Sequence, residues 1–236
     1  MGLFKRKKKN EDGDTDVRLV YKCDEIADIT EVVIGSIFRV TVSEDIPDVL
    51  ILLDKKWKNN LVSKFEEKDK KTHKTAKLHV TLNGPITSTG RELAKVILPK
   101  SKLNLDRVEL GGSAYMAGGH FNALACAVVT SGASELVANI TSKRILINTS
   151  GSSSVVADGE CDTIAIDSSG SSEVAVLPMK VKSAVVTSTG ASSVHVNPTG
   201  CATVRASGAS NVEFNRYVIL EDVKTSGAAS CKRVVL

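Results

Sequence analysis

The stretch SGASELVANITSKRILINTSGSSSVVADGECDTIAIDSSGSSEVAVLPMKVKSAVVTSTGASSVHV (131–196) decides the fold. A small-residue pulse, Ser/Thr-Gly-Ala/Ser-Ser, returns in it at a nearly constant interval. Followed outward, the pulse is marked by Gly112, Gly132, Gly151, Gly170, Gly190, Gly208 and Gly227, spaced 20, 19, 19, 20, 18 and 19 residues apart. Other positions keep the same register. Four residues before the marks stand Val108, Val128, Ile147, Ile166, Val186, Val204 and Val223, all β-branched. Four residues after stand Met116, Leu136, Val155, Val174, Val194, Val212 and Cys231, all apolar. Two after stand Ala114, Ser134, Ser153, Ser172, Ser192, Ser210 and Ala229, all small. The positions three before and three after are mostly polar.

Alternating apolar and polar positions in Val- and Ile-rich segments mark short strands with one face inward. The glycine pulse between them is a turn, where positive φ or close backbone approach is needed. Each repeat of about 19 residues is strand, turn, strand and linker, too small to bury its apolar side alone. Stacked in parallel about 4.8 Å apart, the coils pair backbone with backbone and lay equivalent side chains in ladders. The fold class expected is all-β, a parallel β-helix or solenoid, with right-handed winding from crossover chirality. A propeller blade needs twice the repeat length, and a leucine-rich repeat needs Leu at its core positions.

Before the marked coils the rhythm loosens. IFRVTV (37–42) alternates like a strand, VLILLD (49–54) is a short buried run, KLHVTLNG (77–84) alternates into a turn, and VILP (96–99) leads into the first marked coil. The charged stretch KKWKNNLVSKFEEKDKKTHK (55–74) fits an irregular excursion, a hairpin arm or a short amphipathic helix. The division expected is a disordered tail over 1–16, degenerate coils and an N-terminal cap over 17–100, and regular β-helix repeats over 101–236. The last coil, followed by Val234, Val235 and Leu236, presents an edge suited to end-to-end self-association or another partner.

Of 236 residues only 4% are aromatic, which excludes rows of stacked rings for bases or sugars. The net charge of +4 comes from Lys5, Arg6, Lys7, Lys8 and Lys9; without them 26 basic residues face 27 acidic ones. A neutral body argues against nucleic acid as a partner. The basic cluster beside Leu3 and Phe4 is the one feature suited to weak contact with an anionic membrane. Gly2 lacks the Ser or Thr four residues on that N-myristoylation uses; Arg6 stands there. Neither a secretory apolar region nor an 18-residue apolar run occurs, so a cytoplasmic location, membrane-peripheral at most, is expected. Cys23, Cys126, Cys161, Cys201 and Cys231 are widely separated, which suits free thiols rather than a disulfide framework or zinc site.

The run SGASELVA, SGSSSVVA, SGSSEVAV, TGASSVHV and SGASNVEF resembles the bacterial adhesin family called the head GIN domain. VILPKSKLNLDRVELGGSA (96–114) is similar to the segment that introduces its first marked coil. The resemblance implies a β-helix associated with the cell surface and adhesion, and no catalytic or ligand residues are established in the family to carry over. Its usual member begins with an export or lipoprotein signal, where this chain has MGLFKRKKKN.

Chemistry-bearing patterns are sparse. His73, His79, His120 and His195 have no second His or carboxylate at ligand spacing, and the G-G-x-G-x-D calcium pattern is absent. His120 with a cysteine such as Cys126 or Cys161 is the only Cys–His pairing to weigh. Ser153 shares its offset with Ser134, Ser172, Ser192 and Ser210, which assigns it to turn chemistry rather than nucleophilic attack. GGSAYMAGGH (111–120) lacks the Lys of a phosphate loop. No catalytic, cofactor-binding or metal residues are therefore expected, and no cofactor. The leading expectation is a non-enzymatic scaffold or adhesin-like interaction module. Two alternatives remain: a cytoplasmic self-assembling protein of the bactofilin kind, and a carbohydrate-active β-helix enzyme using Glu135 and Glu173, two coils apart at one offset.

Overall fold

Alternation in the sequence becomes alternation about a sheet. A computed structural model describes residues 4–5, 17–23, 28–70, 73–84, 94–215 and 217–234. The described strands, in chain order, are β1 (Phe4–Lys5), β2 (Val17–Tyr21), β3 (Asp28–Ile34), β4 (Arg39–Ser43), β5 (Val49–Leu53), β6 (Leu61–Lys70), β7 (His73–Leu82), β8 (Ala94–Pro99) and β9 (Leu103–Leu110). They continue with β10 (Tyr115–Thr130), β11 (Glu135–Thr149), β12 (Ser154–Ser168), β13 (Glu173–Ser188), β14 (Ser193–Ala206), β15 (Asn211–Asn215), β16 (Ile219–Thr225) and β17 (Ser230–Val234). All seventeen are joined by backbone pairing, and the only helical pieces among the described residues are single 3-10 turns at Lys55–Trp57 and Lys100–Lys102.

From β9 onward the chain is a parallel solenoid. β10 pairs with β11, β11 with β12, β12 with β13 and β13 with β14, all in parallel and nearly in step. Ile147 lies between Val128 and Ile166, and the row runs on through Val186 to Val204. Each of these five side chains is at most 2% exposed. Burying a Val or Ile contributes roughly 1.5–3 kcal/mol against leaving it in water. A ladder of them, one per coil, is the spine of the core.

The marked turns hold the coils together on the other side. Gly151 has φ 75°, and a Cβ there would stand 2.6 Å from the Gly132 carbonyl oxygen. That closeness lets the next amide donate: Ser152 N–H to Gly132 O at 2.7 Å, Ser171 to Gly151 at 2.7 Å, and Ala191 to Gly170 at 2.7 Å. Two after the glycine, Ser134, Ser153, Ser172 and Ser192 turn inward and donate to the carbonyl three residues back, as Ser153 does to Ser150 O at 2.9 Å and Ser172 to Ser169 O at 2.8 Å. Thr149, Ser168 and Ser172 then join their hydroxyls at 2.9–3.0 Å in a buried ladder.

Below β9 the spatial order departs from chain order. The coil formed by β3, the turn 35–38 and β4 lies directly beneath β9 and the start of β10: Val32 pairs with Val108, and Val40 with Met116. Beneath it lie β7 and β8, where Leu78 pairs with Val32 and Val96 with Val40. Residues 28–43 are thus inserted between two coils that follow them in sequence. A charge ladder fits the insertion, because Glu31, 9% exposed, sits between Lys77 at 2.7 Å below and Arg107 at 3.7 Å above.

Beneath Gly112 the column of positive-φ turn residues continues in Ser36. It has φ 63°, the one non-glycine positive φ among the described residues, and lies directly under Gly112. Its hydroxyl accepts from Leu82 N–H at 3.1 Å and lies 3.0 Å from Leu82 O.

Antiparallel strands close this end. β6 folds back on β7, so of the three structures open for 55–74 the chain forms a hairpin arm after one 3-10 turn. β5 runs antiparallel to β8, and β2 to β5. The Tyr21 hydroxyl reaches Ser63 at 2.6 Å, and its ring stacks on Phe65 with centroids 5.4 Å apart. Phe4–Lys5 pairs with Leu19–Val20 inside the stretch expected as a tail; residues 1–3 and 6–16, which include most of the basic cluster, lie outside the described residues. At the opposite end, among the described residues, β16 pairs only with β14 and β17 only with β15, and Ile219 is 66% and Val223 41% exposed.

Candidate functional site

Most residues singled out in the sequence are structural. Ser153 and its equivalents spend their hydroxyls on turn carbonyls and on one another. Cys126 is 3% exposed, and its thiol donates to Leu105 O at 3.8 Å. Burial pushes its pKa up, opposite to what an activated nucleophile needs. Cys161 is pushed up to about 11, chiefly by burial and further by the charge of Asp162. Glu135 and Glu173 flank Ser154 in one outward row, roughly 9–10 Å apart by strand spacing.

His195 gains a partner that linear spacing does not show. The next coil places Glu213 beside it, with Nδ1 3.1 Å from Glu213 Oε2. Glu213 also accepts from Asn211 at 2.9 Å, and that bond, followed by the attraction of His195, holds its carboxyl below the usual range. The pair is half-buried on a flat face.

A larger concave feature lies elsewhere, where each coil turns its far corner. Strict alternation breaks there: Leu124 and Ala125, Lys143 and Arg144, Asp162 and Thr163, and Lys182 and Ser183 are consecutive residues that both face out. Beside this corner runs a trough of about 830 Å³. Its floor is Ala123, Ser142, Cys161 and Val181, aligned by parallel pairing. One wall is Asn122, Thr141, Glu160, Lys180 and Thr199; the other is Leu124, Lys143, Asp162 and Lys182. The Lys182 ammonium bridges Asp162 at 2.5 Å. That bond and charge, with Lys143 adding to them, lower the Asp162 pKa, while Asp162 raises that of Lys182. Both therefore stay charged across the neutral range.

These residues escape a count forward from the glycines, because repeats of unequal length let the offset drift between nine and ten. Counted back from the following glycine, Asn122, Thr141, Glu160 and Lys180 all stand at ten and Leu124, Lys143, Asp162 and Lys182 at eight. That register was the available signal. Among the described residues no group of three or more His, Cys, Asp or Glu side chains is placed to hold a metal ion.

Comparison with known proteins places this geometry. The family model described as "Putative auto-transporter adhesin, head GIN domain" matches residues 73–215. The chain belongs to that family. The head GIN match takes in all the regular coils from β9 to β15, and with them the whole trough. Solved structures share the fold at low identity. A "putative adhesin" from Bacteroides fragilis superposes with TM-score 0.70 at 14% identity, covering 93% of this chain and 97% of the other. One from Parabacteroides merdae gives 0.59 at 15%, covering 94% and 97%. A protein from Parabacteroides distasonis described as a "putative lipid binding protein" gives 0.54 at 16%, covering 94% and 98%. No curated protein matches by sequence.

Proposed function

We propose that this head GIN domain is a non-enzymatic interaction module and that the corner trough is the face that meets its ligand. The observation carrying the reading is the trough itself: about 830 Å³ of concave surface built from the same positions of successive coils, against about 260 Å³ for the hollow beside Thr187, Arg205 and Lys224. Binding sites are concave and carry a few placed polar groups. Here the polar groups are repeated rather than convergent, which suits holding an extended molecule more than attacking one bond of it. The family description supports the adhesin-like character.

The test presents the full chain to a glycan array and to neutral and anionic phospholipid vesicles, beside a Thr141→Trp variant that fills the trough and an Asn148→Trp variant on another face. The expected result is binding of one class of probe, lost in Thr141→Trp, kept in Asn148→Trp, with the bound molecule recovered uncut by mass spectrometry. Binding indifferent to Thr141→Trp, or no binding to any probe, overturns the trough. Cleavage of a bound glycan overturns the non-enzymatic reading, and Glu160 and Asp162 would then be the carboxylates to examine.

A further inference from the structure

Resting on that reading of the trough, we infer that its ligand is a linear glycan carrying a carboxylate on every second sugar. The first reason is pitch. The trough crosses successive coils about 4.8 Å apart, close to the advance of one pyranose unit in an extended glycan, so each coil meets one sugar. An extended peptide advances about 3.3–3.6 Å per residue and slips out of step with the coils at once.

The second reason is the chemistry of the walls. Asn122, Thr141, Glu160, Lys180 and Thr199 present one donor or acceptor per coil, as a row of ring hydroxyls requires. On the facing wall Lys143, Asp162 and Lys182 alternate cation, anion, cation on consecutive coils. The two lysines are rooted two coils apart, about 9–10 Å along the stack; Lys143 meets a carboxylate directly, and a carboxylate two sugars on competes with Asp162 for the exposed Lys182 ammonium. Asp162 faces the sugar between them, accepts from its hydroxyls, and repels a carboxylate there. A glycan charged at every sugar is therefore disfavoured, and a neutral one brings no carboxylate to Lys143 or Lys182.

The third reason is the floor. Ser142, Cys161 and Val181 are at most 9% exposed and small enough for a ring edge to approach the backbone. No aromatic side chain lines the trough, so attraction comes from hydrogen bonds and charge and weakens with salt.

Calorimetry on the full chain decides the matter with four probes: a hyaluronan decasaccharide, charged on alternate sugars; an oligogalacturonate, charged on every sugar; a neutral chito-oligosaccharide; and poly-L-glutamate. The hyaluronan decasaccharide is expected to bind at least about tenfold tighter than the other three, and more weakly at high salt. Lys143→Ala with Lys182→Ala, both exposed and harmless to the core, is expected to cost at least about tenfold; Lys224→Ala with Lys232→Ala, on the terminal coil, is expected to change nothing. Equal or tighter binding of the oligogalacturonate, the neutral glycan or poly-L-glutamate overturns the alternating-charge ligand, as does hyaluronan binding that ignores the Lys143 and Lys182 substitutions. If no glycan binds here while another probe is held in a manner Thr141→Trp abolishes, the glycan falls and the trough stands. If Thr141→Trp abolishes nothing, both fall.

Discussion

Glycine at the marked turns answers two demands at once, and single substitutions separate them. Gly151→Ala places a methyl 2.6 Å from the Gly132 carbonyl oxygen at φ 75°. The left-handed backbone alone costs about 1–3 kcal/mol for a residue with a side chain, and the clash adds to it, so a loss of unfolding free energy of that size or larger is expected from the fall in urea midpoint. Ser36 occupies the same conformation with a side chain and uses it to bond Leu82. Ser36→Gly relieves the backbone while losing those bonds, and its midpoint is expected to move by less than half as much. Cys161 offers a second test. With a pKa of about 11 it is about one part in a thousand thiolate at pH 8. Its alkylation by iodoacetamide is expected to stay slow at pH 8 and to accelerate about tenfold per pH unit toward 11.

At the scale of one element, the parallel strand is stabilised from both sides, and its inward rows behave as columns. Ile147→Ala opens a cavity between Val128 and Ile166 where the flanking backbones are pinned at coil spacing and cannot close in. A loss of about 2–5 kcal/mol is expected in urea titration. The regular strands were legible in the sequence because each inward row repeats at a fixed distance from a glycine. Ser153 and its equivalents could be read as turn residues for the same reason. The corner could not be read in that way: a residue added or dropped between turn and corner shifts the forward count, so Glu160 and Lys180 shared a row without showing it. His195 and Glu213 were equally hidden, since their partnership exists only across coils. The pair also sets a pH response. Because the Glu213 pKa is lowered in the folded state, its contribution is present above the ordinary glutamate pKa and fades as pH falls through the lowered value. Glu213→Gln is expected to flatten the acid limb of the stability profile below about pH 4.5.

Over the whole molecule the two ends are unequal. The end at β7 and β8 is covered by β6 running against β7 and β5 against β8, with β2 against β5 in turn, and Trp57 and Phe65 are buried there. The end at β16 and β17 has neighbours on one side only, and its residues are largely exposed. Nearest-neighbour stacking means that stability falls where a neighbour is missing. Amide hydrogen exchange is expected to be fastest over 219–234 among the strands from β9 onward and slowest in β11 to β13; equal protection along the stack would contradict the stacking account. The closed end was the least legible part of the chain. Its strands were visible as alternating runs, but antiparallel partners leave no shared offset from a glycine, and nothing in linear order shows 28–43 slipping between 75–99 and 103–117.

That slipped coil has a consequence for how the protein is born. Residues 28–43 leave the ribosome well before either of the segments that sandwich them, and must wait, edges unsatisfied, until the chain as far as Met116 has emerged. Every later loop can zip onto a finished template as it is made. Synthesis therefore divides into an early interval that depends on shielding of a nascent strand pair and a late one that needs no help, with the boundary at the first glycine mark.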